Sequence, residues 1–416
     1  MYRRSAVCAL CLAVAAAAGL PAADWPQFRG PHRDDISSDK GLLRKWPREG
    51  PPLVWKADGL GRGFSSVAIA SGKVFTMGDV GTSSYVIALD DKTGRKLWSA
   101  KVGRPGGNLE GTRCTPTVDG EFVYGLGQFG DLVCLKTSIG EEVWRKDLVK
   151  DFGGRPGGWN YTESPLVDGD KLVCTPGGPK ASLVALKKKT GAVIWKCALL
   201  NGDTNAGYSS VVVAEAAGIR QYVQLMSGGV VGVDAQTGKL LWRYTRLGRN
   251  TANIPTPIVK GEYVFCSAGY GKGGALLRLV PDGGGVRAEE VYFSPNLTNK
   301  HGGLVLVGDY VYGDRDDSGH PFCAEWKTGK VVWQRKGEGG PGRGSAAVTY
   351  ADGHLYFRYD NGWVALVEAS PGGYREVSTF KVPNSRSQSW SHPVVVGGRL
   401  YLREQDVLWC YDVKKK

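Results

Sequence analysis

The chain has 416 residues, a length that alone would suggest two or three domains, yet a repeat architecture can use it all in one closed unit. Glycine, at 61 residues, has about twice its usual share and falls at strand ends, which indicates many turns and not disorder. The formal net charge of +13 gathers into no stripe, the runs being only Lys187–Lys189 and Lys414–Lys416, so nucleic acid is not an expected partner.

At the start, Arg3 and Arg4 precede an apolar, uncharged stretch over Ala6–Leu20, followed by the small residues Pro21-Ala22-Ala23. Residues 1–23 read as a secretory signal peptide, too short to span a bilayer. The mature protein is expected in the periplasm or outside the cell, with no later membrane span. Residues 24–51 (DWPQFRGPHRDDIS, then GLLRKWPREGPP) form an irregular lead-in, because their Pro and Gly exclude a regular element. Trp25, Phe28 and Trp46 are expected to pack it onto the body.

From residue 52 onward the chain repeats. VVGVDAQTGKLLW (Val230–Trp242) recurs as VIALDDKTGRKLW (Val86–Trp98), LVCLKTSIGEEVW (Leu132–Trp144), LVALKKKTGAVIW (Leu183–Trp195) and PFCAEWKTGKVVW (Pro321–Trp333). Each copy places a small residue ten positions before the Trp and a Gly four before it. A β-branched strand turns through Thr-Gly, with Asp90 or Asp234 as the cap, and restarts as a strand carrying the Trp. One hairpin cannot bury its own apolar face, so stacked copies are required. First strands of the type TPTV (Thr115–Val118), SPLV (Ser164–Val167) and TPIV (Thr256–Val259) complete four strands per repeat.

Two copies are degenerate. Gly274–Phe293 and Gly362–Phe380 end on Phe, which is expected to replace Trp. The last repeat lacks a fourth strand, and Leu53–Lys56 (LVWK) is a Trp strand without its partners. Together they predict an all-β, eight-bladed propeller over 52–416, closed by the N-terminal strand. Seven blades is the alternative. Seven cysteines lie beyond the leader, with no CxxC and no adjacent pair. Cys134, Cys323 and Cys410 fill the small slot, as buried hydrophobes would.

Propellers usually place ligands over the channel, on loops entering the innermost strands. Those positions supply the candidate ligand-binding set Arg113, Glu163, Tyr208, Asn253, His301, Arg343, Trp390 and His392. Guanidinium forks and aromatic faces suit a polar or anionic ligand. DRDDSGHPFCAE (Asp314–Glu325) fits a calcium-loop template. It lacks flanking helices, contains Pro321, and puts Glu325 at the turn-capping slot, so it is set aside.

The AxDxxTGxxxW hairpin and xPxV strand resemble the quinoprotein (PQQ-like) propeller repeat family, from Trp25 to the C-terminus. That family includes PQQ-dependent alcohol dehydrogenases and the outer-membrane assembly lipoprotein B. The opening DWPQFRGPHRD is similar to secreted bacterial members. The resemblance implies a quinone held with calcium, a carboxylate base and flat cofactor walls. Glu163 and Asn253 are candidate calcium ligands, but the aligned ring offers no Asp base, no adjacent-cysteine disulfide and no CxxCH. The lipid-attachment cysteine of the assembly lipoprotein is missing too. The expectation is a monomeric, non-catalytic binding propeller for a protein, glycan or small polar ligand, with no metal or catalytic residue assigned. A PQQ-dependent alcohol dehydrogenase is the alternative.

Overall fold

The computed structural model describes residues 24–109, 111–199, 204–249, 251–335, 340–385 and 388–416. The leader assigned to 1–23 lies outside them. Among the described residues are eight antiparallel sheets of four strands each, arranged as the blades of one propeller. In chain order the blades cover 68–103, 117–147, 166–197, 212–244, 258–294, 304–334 and 346–381. The eighth combines 394–412 with Leu53–Ala57. Trp55 lies opposite Cys410 and Ala57 opposite Leu408, so the first strand closes the ring. The degenerate region 258–294 forms a full blade, which removes the seven-blade alternative.

The repeat pattern has a direct packing cause. Every hairpin Trp stands opposite its small slot: Trp98 faces Ala88, Trp144 Cys134, Trp195 Ala185, Trp242 Gly232 and Trp333 Cys323. A small residue leaves room for the indole to lie flat. At the joints into blades one to four the ring of Trp55, Trp98, Trp144 or Trp195 then meets the turn glycine of the next blade. A Cβ on Gly140 would fall 2.6 Å from Trp98, and one on Gly238 2.6 Å from Trp195, at backbone φ of +74° and +75°. Glycine is thus required twice over, by conformation and by contact. The Trp144 indole N–H donates to Lys188 O (2.9 Å) across the same joint, and that of Trp333 to Ser370 O (2.8 Å). Trp144, Trp195 and Trp242 are buried, while Trp98 and Trp333 are half-buried. Asp90 and Asp234 cap their turns by accepting from the Thr93 and Thr237 amides.

In the degenerate blades the dock changes hands. Phe293 faces the slot at Ala275, but Tyr292 makes the joint, donating to Trp326 O and packing on Gly329. Phe380 is buried under Gly50 of the lead-in, with Trp46 edge-on at 5.4 Å. All seven described cysteines are buried and free.

The lead-in is a stopper for the channel. Innermost strands have an unpaired edge, whose carbonyls face the channel and need donors. Arg33 donates to Ser164 O and Val211 O (both 3.0 Å) and to Pro165 O, spanning blades three and four. Arg29 donates to Gly302 O (3.0 Å) and Leu304 O (2.7 Å) of blade six. Trp25 pairs with Ile69 of blade one, Pro26 O accepts from Val118 N of blade two, and Ile36 pairs with Tyr350 of blade seven. Arg29, Arg33 and Asp35 hold φ of 64°, 56° and 58°, a left-handed backbone that costs each about 1–2 kcal/mol. The guanidinium bonds offset that strain.

Candidate functional site

Around the channel the Ser/Thr of the first-strand motif forms a relay. Ser66 N donates to Thr115 Oγ1 (3.1 Å), Thr115 N to Ser164 Oγ (2.9 Å), Ser164 N to Ser210 Oγ (2.9 Å) and Ser210 N to Thr256 Oγ1 (3.2 Å). Five inner strands are thereby held at one level. Side chains alternate along an extended backbone, so the residue two places earlier shares the face of the hydroxyl. Those residues are Phe64, Arg113, Thr162, Tyr208 and Ile254. His301 and Trp390 hold the like position in blades six and eight. All seven line one cavity of about 350 Å³. The stopper contacts the same strands farther along, and its Phe28 lines the cavity with His392, at 4.9 Å ring to ring. The channel is closed on that side.

Of the eight expected site residues, Arg113, Tyr208, His301, Trp390 and His392 line this cavity. Glu163 and Asn253 are out of phase. Glu163 is buried in the wall, where Oε1 accepts from Thr175 N (2.8 Å) and Oε2 from Gln224 Nε2 (3.2 Å). Asn253 donates to Met226 O (2.6 Å). Arg343 is exposed and turns back onto Gly340 O and Gly342 O. Sequence reasoning missed Phe28, Trp159, Tyr270 and Lys300 as lining residues. The alternation rule would have found Thr162 and Ile254, but nothing local marks Phe28 or Trp159.

Aromatic faces make one wall. Trp390 lies 4.5 Å from His301, stacked, and 4.8 Å from Phe64. Burial, with the Lys300 ammonium beside it, pushes the His301 pKa down to about 3, so its ring is neutral. Arg113 is held by Leu109 O (2.8 Å) and Gln128 Oε1 (3.2 Å), and burial lowers its pKa. Lys300 pairs with Asp317 and lies 4.8 Å over the Tyr270 ring. The neighbouring Asp316 accepts from Tyr270 N and Gly271 N (both 2.8 Å). The calcium-loop look-alike is therefore a brace for this rim, and its Glu325 caps a turn through Thr328. Among the described residues no group of His, Cys, Asp and Glu is placed to hold a metal.

A calcium-bound quinone would need carboxylate and amide oxygens at the cavity and a carboxylate base. None of the described lining residues is Asp or Glu. Both Glu163 oxygens accept inside the wall. The donor set does not fit that cofactor.

An eight-bladed propeller with one end of its channel stoppered and an aromatic cavity at the other defines the class. A family model described as outer membrane protein assembly factor BamB matches residues 82–335, and the chain belongs to that family. BamB of Shewanella oneidensis is 25% identical over 258 residues, 58% of this chain and 60% of the relative. Quinoprotein ethanol dehydrogenase of Pseudomonas aeruginosa is 27% identical over 199 residues, 42% of this chain and 31% of the relative. The chain thus spans 60% or less of these relatives' lengths. Quinohemoprotein alcohol dehydrogenase of Comamonas testosteroni superposes with a TM-score of 0.69 at 14% identity, over 95% of this chain and 81% of that one. BamB of Moraxella catarrhalis gives 0.59 at 15%, over 88% and 98%. At such identities these two structures show a shared fold.

Proposed function

We propose that the protein is a periplasmic or secreted binding propeller that takes a small ligand into the stoppered cavity, without catalysis. The observation that carries this is the seven-residue wall repeated blade by blade and closed beneath by Phe28. A cavity of about 350 Å³ lies at the lower end of the range for small-molecule sites. Purified protein titrated with neutral, anionic, cationic and sugar-like compounds should show saturable tryptophan quenching with one class, lost in Trp390→Ala. Failure of every class to saturate would refute the reading. Dye reduction with an alcohol panel, PQQ and calcium, abolished by Glu163→Ala, would overturn it in favour of a dehydrogenase.

The family match supports a second reading, a protein-binding propeller in outer membrane protein assembly. Under that reading an outer-membrane assembly defect in a deletion strain would be rescued equally well by Trp390→Ala.

A further inference from the structure

We propose that the cavity takes a flat aromatic monoanion, one ring system bearing a single carboxylate, bound without a metal. This rests on the reading of the cavity as a binding site.

Charge comes first. The described lining residues include two cations, Arg113 and Lys300, and no carboxylate. Lys300 is already paired with Asp317. Among the described residues Arg113 donates to neutral acceptors, Gln128 Oε1, Leu109 O and Gly111 O. Asp79 makes no hydrogen bond to it and acts on it through space, while Gln128 Nε2 donates to Asp79 Oδ2 (3.2 Å). A guanidinium carries five N–H donors, so part of the fork stays unused. Among the described residues no carboxylate hydrogen-bonds Arg113, and one such cation matches one anionic group. A second or third charge on the ligand would be desolvated with no partner.

Shape and polarity narrow the class. Phe64, Trp390 and His301 make a continuous wall, with ring planes 30° and 29° apart. Phe28 adds an apolar surface below it. On the opposite side Ser164, Ser210 and Thr256 each already accept a strand amide, which leaves each hydroxyl one O–H donor. A flat apolar body with one carboxylate finds a wall and a fork.

The test is calorimetric titration of the full mature chain with naphthoate, its neutral carbinol naphthylmethanol, naphthalene dicarboxylate, and PQQ with calcium. Naphthoate should bind roughly tenfold or more tightly than the carbinol, the range for a hydrogen bond to a charged group. Arg113→Met should erase that advantage and leave carbinol affinity unchanged. If that variant fails to fold, salt serves instead: raising it on the unaltered protein should weaken naphthoate alone. Equal binding of naphthoate and carbinol would overturn the charge assignment and leave the cavity reading standing. Tighter binding of the dicarboxylate, or of PQQ with calcium, would overturn the single-anion assignment. No binding by any aromatic compound would overturn this proposal, and the cavity reading would then stand or fall on the quenching titration with the other ligand classes.

Discussion

Glu163 is a carboxyl group fully inside the channel wall, facing Thr175 and Gln224, with Arg33 of the stopper nearby. Burial outweighs those favourable neighbours and raises its pKa from 4.5 to about 7. A raised carboxyl pKa means that the folded state binds more protons between those two values. Stability therefore falls as pH rises through that window, by at most on the order of 3 kcal/mol, and is level on either side. Glu163→Gln should remove this component. Unfolding of both proteins at pH 5, 6, 7 and 8 should show the native chain losing ground to the variant as pH rises. A constant difference would mean that Glu163 does not ionise in that range. The cavity residues make the complementary point. Arg113 and Tyr208 were legible because each lies in phase with the motif hydroxyl two places on. Glu163 and Asn253 were misplaced by one residue, and in a strand one residue is the other face.

Among the elements, the hairpin was legible because its parts have fixed chemical identities. A Trp, a small slot and a Thr-Gly turn serve one joint between blades. Trp144→Ala should cost about 3–5 kcal/mol in denaturant unfolding, and Trp98→Ala less, since its ring is half-buried. Equal losses would show that burial at the joint is not what sets the cost. The stopper was not legible in the same way. Arg29 and Arg33 bind carbonyls of residues more than a hundred positions away, and a carbonyl leaves no mark on side-chain identity. Arg33→Met should leave three channel carbonyls without this donor and cost about 1–3 kcal/mol for each that stays unpaired. A loss under about 1 kcal/mol would show that water replaces the guanidinium, and that the channel is open there.

On the scale of the molecule, the ends of the chain hold the ring shut. Leu53–Ala57 completes blade eight, and Trp55 donates to Asp91 O (2.9 Å), reaching into blade one. Asp406, in the turn of blade eight, accepts from Gly59 N (3.1 Å) and Gly61 N (2.6 Å), extending the clasp past the strand. Arg403, fully buried with its pKa lowered to about 9, donates from blade eight to Thr76 and Met77 of blade one. The complementary half-repeats announced this closure, whereas Asp406 and Arg403 act mainly through backbone partners, with the Thr76 hydroxyl beside them, and gave no sign. Two truncations separate closure from stoppering. Removing residues 24–36 takes away the stopper but keeps Trp46 and the closing strand. That chain should still unfold cooperatively, at lower stability, with faster hydrogen exchange at the inner-strand amides and weakened ligand binding. Removing residues 24–58 also opens the edge of Val407–Asp412, a six-residue strand rich in apolar side chains. An unpaired edge of that kind invites aggregation. The longer truncation should therefore lose cooperative unfolding and solubility together, and a soluble chain with the native transition would disprove closure by the first strand.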